Sequence, residues 1–95
     1  MTRPQATATQ VIDDARVRVT RFDFAPGAET GWHEHAMDYV ITTLTDCTML
    51  LEEPGGTSRT VLVEAGTSYR RAQGINHNVI NGGDAVMSFV EVELK

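Results

Sequence analysis

The sequence predicts an all-β protein with a single domain. Short runs rich in β-branched and aromatic residues recur between turn signals along most of the chain. No segment of useful length shows the apolar period of an amphipathic helix. The chain has 95 residues, enough for one hydrophobic core and too few for two. Strands of this number and spacing bury their apolar faces together in a barrel or a sandwich.

Turn signals divide the chain into seven candidate strands. They cover residues 17–24, 32–44, 48–51, 59–63, 67–71, 77–80 and 86–94. Glycine, proline, asparagine and aspartate, the residues that favour turns, occupy the gaps between most of them. Residues 1–10 carry almost no apolar signal and are predicted to be a flexible segment, so that residues 11–95 form the domain.

The last candidate strand alternates apolar and acidic residues. The apolar residues of one parity are Val86, Val90, Val92 and Leu94, and the glutamates of the other parity are Glu91 and Glu93. Successive side chains of a strand point to opposite faces of the sheet. The valines are therefore predicted to point into the core and the glutamates into solvent.

Charge and composition exclude several classes of function. Eight basic residues against thirteen acidic ones give a formal charge of −5, and the arginines form no stripe, which argues against nucleic acid as a partner. No apolar run is long enough to span a membrane, and the first residues lack the apolar core of a secretory signal. The expectation is a cytoplasmic protein that uses no membrane.

All three histidines of the chain lie in two short segments. His33 and His35 are two residues apart, so that on a strand they project from the same face about 7 Å apart. Imidazoles placed in this way converge on one ion if the face lines a cavity, and His77 is available as a third ligand. The alternative is three unrelated histidines that form ordinary hydrogen bonds.

The spacing around these histidines resembles the paired motifs of the cupin family, G-x5-H-x-H-x3,4-E-x6-G and G-x5-P-x-G-x2-H-x3-N. The matching residues are Gly27, His33 and His35 in the first motif and Gly66, Gly74, His77 and Asn81 in the second. The stretches WHEHAMDYV, GTSYRRAQG, HNVIN and FVEVELK are similar to a narrower group, the small cupins named for a role in β-alanine degradation. The resemblance implies a single-domain jelly-roll β-barrel, often dimeric. Its family includes metal-dependent dioxygenases, isomerases and lyases as well as binders without activity.

Three positions depart from the motifs. Tyr39 stands in place of the glutamate that would ligate the metal, Asp46 in place of a glycine, and Ala72 in place of the proline. A site of three neutral imidazoles leaves the charge of a divalent ion uncompensated and favours an anionic ligand. The ion is iron, zinc, nickel, manganese or copper, and the donor set does not distinguish among them.

Strand parity predicts a pocket around the histidines. Met37 and Tyr39 share the face of His33 and His35, and Tyr69 and Arg71 belong to the strand that enters the second motif. Tyr39 is the candidate catalytic residue, a phenol able to donate a proton. Met37, Tyr69 and Arg71 are candidate substrate contacts. Core packing for the first two, and a solvent-facing position for the arginine, are the alternatives.

Asp38 is the alternative carboxylate for the position of the missing glutamate, although its parity points it away from the histidines unless a bulge rotates the strand. The favoured function is a metal-dependent enzyme, dioxygenase- or lyase-like, that acts on a small carboxylate and forms a homodimer. A module that binds metal and a small anionic ligand without turnover is the alternative, because catalysis also needs a proton-transfer group.

Overall fold

A computed structural model describes residues 2–95 and contains nine β-strands and, over this range, no helix. The strands are β1 (Thr7–Asp13), β2 (Val17–Phe24), β3 (His33–Glu34), β4 (Tyr39–Thr43), β5 (Cys47–Glu53), β6 (Thr57–Val63), β7 (Ser68–Arg71), β8 (Asn76–Asn81) and β9 (Met87–Leu94). The all-β prediction is confirmed. Over residues 2–95 there is no helix of the length and apolarity needed to cross a membrane.

The strands form two antiparallel sheets that face each other. The five-stranded sheet has the order β1-β2-β9-β4-β7, and the four-stranded sheet has the order β3-β8-β5-β6. The core lies between them. Its buried members from the strands include Phe24, Tyr39, Ile41, Cys47, Met49, Leu51, Val79, Met87 and Phe89.

The two sheets have the arrangement of a jelly roll. The barrel prediction required them to close by hydrogen bonds, and among the described residues they do not. On one side Glu29 forms bridges to both Gln5 and Ile80 and so links the N-terminal segment to the four-stranded sheet. On the other side β6 and β7 are the last strands of their sheets and do not pair with each other. The molecule is therefore open between these two edges.

The N-terminal segment contains a strand that the sequence did not indicate. β1 begins at Thr7 and pairs with β2, although all seven of its side chains are exposed. Ala6, just before it, is buried in the core. The sequence-based boundary between residues 10 and 11 therefore falls inside a strand. This edge strand is held by backbone hydrogen bonds to β2. Such bonds leave no apolar pattern in a sequence.

The predicted orientation of β9 is wrong. Met87, Phe89 and Glu91 point inward, whereas Val86 is 59% exposed. Phe89 pairs with Phe22, and their tilted rings lie 5.5 Å apart between centroids, so the larger aromatic side chains fill the core. The remaining valines and Leu94 form an outer face with β2 and β4, where Val92 pairs with Val19 and Val40. Both faces of this sheet are thus partly apolar, so parity alone does not show which side of β9 faces the core.

The predicted long strand over residues 32–44 is divided into β3 and β4 by a bend. Asp38 lies in this bend, where its carboxylate accepts hydrogen bonds from the Gln73 backbone N–H (2.8 Å) and the Arg70 guanidinium (2.9 Å). Its carbonyl accepts the Leu94 N–H (2.8 Å). These bonds hold the chain at the corner where it passes from one sheet to the other.

Candidate metal centre

The three histidines are brought together by two strands and a bend. His33 on β3 pairs directly with His77 on β8. His35 lies just after β3, where its N–H donates to the Ile75 carbonyl and its carbonyl accepts from the Gly74 N–H, both at 2.8 Å. Backbone hydrogen bonds alone thus bring the three residues close together.

The imidazoles converge through their Nε2 atoms. The Nε2 of His35 lies 3.0 Å from that of His33 and 3.1 Å from that of His77. Neutral ring nitrogens that face one another at this distance repel unless a proton or cation lies between them, and three nitrogens at bonding reach suit a divalent ion. Because the ligand atoms all lie within 4.8 Å of one another, the donor set fits one such ion.

The electrostatic surroundings keep two of these imidazoles neutral. Burial, together with the neighbouring His33 and Arg71, lowers the pKa of His35 to about 4. Burial is also the main cause for His77, and it lowers the pKa of this residue to about 3. His33, His35 and Arg71 make smaller contributions in the same direction. A metal ligand must be the neutral imidazole, so the site is prepared for coordination at neutral pH.

A chain of hydrogen bonds behind His33 sets its orientation. Its Nδ1 donates to the Gly31 carbonyl (2.8 Å), which leaves Nε2 as the acceptor that a metal requires. The Gly31 N–H donates in turn to the Asn78 side-chain oxygen (3.0 Å). Asn78 is buried, and its amide nitrogen donates to Glu29 (2.8 Å) and Glu52 (2.9 Å). The sequence analysis missed this chain because its members lie far apart in the sequence and match no motif.

Tyr39 lies beside the histidines, on the inner face that parity predicted. Its ring stacks on His35 with 3.8 Å between centroids and an interplanar angle of 16°. The side chain is 2% exposed, and its hydroxyl has no hydrogen-bond partner among the described residues. Burial raises the pKa of this phenol to about 12, against an opposing effect of Arg71. Its role as a catalytic residue stays a prediction.

Glu91 is a second group at the site that the sequence analysis missed. Its carboxylate lies 4.0 Å from Nδ1 of His35, on the side opposite the Nε2 cluster. Burial, with a smaller effect of Glu93, raises its pKa to about 7. Asp38, the alternative carboxylate, is bound to Gln73 and Arg70 at the corner described above and is not part of the histidine cluster.

The predicted substrate contacts divide into two that reach the pocket and one that does not. A cavity of about 30 Å³ adjoins the cluster and is lined by Tyr39, Tyr69, Arg71 and Glu91 among others. Tyr69 donates a hydrogen bond to the Met49 sulfur (3.6 Å), whereas the Arg71 guanidinium forms no side-chain hydrogen bond or salt bridge with the described residues. Met37 lies in the bend and is not among the lining residues.

Comparison with known families agrees with this architecture. The sequence profile of the family described as "Cupin domain" matches residues 20–93. The chain belongs to the cupin family. The predicted resemblance is confirmed at the finer level as well. This cupin is 53% identical, over 93 residues, to the beta-alanine degradation protein BauB of Pseudomonas aeruginosa, with 98% of this chain and 97% of the relative covered.

Solved structures place the fold in the same family. The cupin is similar to a cupin domain from Bordetella pertussis, with a TM-score of 0.95, 50% identity, and coverage of 100% of this chain and 98% of the other. It is also similar to the polyketide cyclase RemF of Streptomyces resistomycificus, with a TM-score of 0.73 and 26% identity over 99% of this chain and 70% of that one. The fold is thus shared over nearly the whole length of the Bordetella protein and over 70% of the longer polyketide cyclase.

Proposed function

We propose that this cupin binds one divalent metal ion through His33, His35 and His77 and acts on a small carboxylate that binds beside it. The observation that carries the proposal is the convergence of three Nε2 atoms within bonding reach of one ion. When bound, such an ion would supply Lewis-acid polarisation of a ligand oxygen, or dioxygen chemistry if it is iron.

The residues around the cluster support an anionic ligand. Arg71 lines the cavity next to the histidines and is free of partners among residues 2–95, so its guanidinium is available to donate two parallel hydrogen bonds to a carboxylate. No carboxylate belongs to the ligand set of three neutral imidazoles, which preserves the attraction for an anion. The name of the Pseudomonas relative, which concerns degradation of an amino acid, supports the same class of ligand.

The remaining groups determine whether the bound ligand reacts. Tyr39 holds its proton at neutral pH, and its buried hydroxyl has no partner among the described residues, so it is available to donate a hydrogen bond to a ligand oxygen. The charge of a bound cation would lower the pKa of this phenol and allow it to donate the proton as well. We propose a dioxygenase- or lyase-like reaction for this reason. A metal-loaded protein that binds carboxylates but turns none over, under air or under nitrogen, would be a binding module instead.

The metal site is tested by elemental analysis of protein purified without added metal. We expect close to one ion per chain, and loss of that ion in His35→Ala, because two imidazoles bind a divalent ion far more weakly than three. Asn76→Ala, at an exposed residue of β8, is the matched control. Unchanged metal content in folded His35→Ala would refute the site.

Anion binding is tested by calorimetry with acetate on the zinc-loaded protein. Arg71→Met should weaken binding by about 1.5–3 kcal/mol through loss of a charge-assisted hydrogen bond, without any change in metal content. Equal affinity in the two proteins would return Arg71 to the role of a surface residue.

A further inference from the structure

A groove opens on the side of the molecule where the two sheets do not pair. It lies between the free edges of β6 and β7 and has a volume of about 730 Å³. Its floor is formed by Met49 and Leu51 of the buried core, and one wall by Val61 and Val63, which are half-buried. The floor of the groove and the middle of its β6 wall are thus aliphatic.

The groove and the small cavity at the histidines adjoin each other. Met49, Leu51, Tyr69 and Arg71 line both of them. The inner cavity, at about 30 Å³, has room for only a small group. Any larger ligand that reaches the histidines must therefore extend outward past Arg71 and along the groove.

Half of the ten residues that line the groove carry polar groups, and they are Arg59, Glu64, Thr67, Tyr69 and Arg71. Arg71 stands at the junction with the inner cavity and has no partner among the described side chains. Arg59 is bound to Glu53 at 2.7 Å, and Glu64 is exposed. A ligand that matches this pattern carries its negative charge at the inner end and an apolar body behind it.

We infer that the ligand of this cupin is a carboxylate with an extended aliphatic body, longer than a three-carbon acid, whose head meets Arg71 and whose body lies on Val61 and Val63. The inference rests on the proposed function, because it places the head at the same site. It adds the class of the ligand, an amphipathic monocarboxylate. Length along the groove is then the main source of affinity.

Titration of the zinc-loaded protein with acetate, butyrate, hexanoate and octanoate tests this inference. Affinity should rise about fourfold for each methylene group that is fully buried, so octanoate should bind at least a hundredfold more tightly than acetate. If acetate binds and requires Arg71 but affinity does not rise with length, the inference is overturned and the proposed function stands. If no carboxylate binds to the metal-loaded protein, the proposed function fails as well.

Variants locate the aliphatic body. Val61→Asp should remove most of the gain from acetate to octanoate and leave the affinity for acetate within twofold, since Val61 lies in the groove but not in the inner cavity. Val61→Ser is the milder substitution if the aspartate variant does not fold, and Val86→Asp, at an exposed valine outside the groove, is the control. Octanoate binding that survives in Val61→Ser, or persists without zinc and in Arg71→Met, would overturn the assignment to this groove.

Discussion

The hydroxyl of Tyr39 is buried near His35 of the candidate metal site, with no partner among residues 2–95. An unsatisfied buried hydroxyl costs about 1–3 kcal/mol. Such a cost is retained where the group serves a bound ligand, since the missing hydrogen bond then forms on binding. Tyr39→Phe should accordingly stabilise the ligand-free protein by about 1 kcal/mol and reduce any activity by about 10²-fold. Denaturation and steady-state assays measure the two effects, and equal activity would leave Tyr39 with a packing role.

Tyr39→Glu tests the same position from the side of the metal. The glutamate would restore the residue that the cupin motif has there, add a fourth ligand and cancel one unit of charge. Metal affinity should rise and affinity for acetate should fall, a paired change that simple destabilisation does not produce. Competition with a chromophoric chelator and calorimetry give the two constants. Parent-like values for both would show that residue 39 does not reach the metal.

Single residues were predicted from the sequence to different degrees. The three histidines and Tyr39 were found because a fixed motif spacing specifies which side of a strand they occupy. Glu91 was missed because β9 carries apolar residues on both faces, and the count of valines favoured the wrong one. A buried carboxylate beside a buried histidine has no signature of its own in a single sequence.

At the scale of elements, β3, β8 and the segment just before β3 act together through Asn78. This residue holds Gly31, which holds the imidazole of His33, yet it touches no metal ligand through its own side-chain hydrogen bonds. Asn78→Ala should weaken metal binding by about 10- to 100-fold, the usual effect of losing a residue that orients a ligand. Chelator competition measures this, with Asn76→Ala as the control on the same strand. Unchanged metal affinity in folded protein would show that strand pairing alone orients His33.

The strands that the sequence predicted correctly are those with a clear apolar pattern between turn residues. β2 matches its predicted range, because turn residues bound it on both sides. β1 was missed, because a strand whose side chains are all exposed shows no alternation of apolar and polar residues. The break between β3 and β4 depends on hydrogen bonds from Asp38 to residues far along the chain, which a local pattern does not contain.

At the scale of the whole molecule, stability should depend on pH through the buried imidazoles. In the metal-free protein the pKa values of His35 and His77 are about 4 and about 3, below the ordinary value of 6.5. As pH falls below 6.5 the unfolded chain takes up these protons first, so stability falls. Glu91, with a pKa of about 7, acts in the opposite sense between pH 7 and 4.5, but two imidazoles outweigh one carboxyl. His33 and Arg71 add repulsion to the protonated forms.

Urea denaturation of chelator-treated protein at pH 7.5 and pH 5 measures this dependence. The midpoint should be lower at pH 5, and the difference should shrink in the double variant His35→Asn, His77→Asn. A higher midpoint at pH 5 would mean that Glu91 dominates the titration.

The outer face of the five-stranded sheet bears on the predicted homodimer. Val92 pairs there with Val19 and Val40, and at its edge Val11 and Ile12 are 60% and 46% exposed. We expect sedimentation to show a dimer that the double variant Val11→Asp, Ile12→Asp converts to a monomer. Leu62→Asp, at an exposed leucine of the other sheet, is the control. A parent that sediments as a monomer would contradict the prediction.

The pairing of β2 with β9 affects how fast the protein folds. Val17 pairs with Leu94, so two neighbouring strands of the larger sheet come from opposite ends of the described chain. The entropy of closing so long a loop must be overcome before these contacts are gained, and folding over milliseconds to seconds is typical of such topologies. The β5–β6 hairpin is local and is expected to form early. We expect the protein to fold first and to bind the metal afterwards. When metal is scarce, the metal-free protein should therefore stay folded and able to bind metal later.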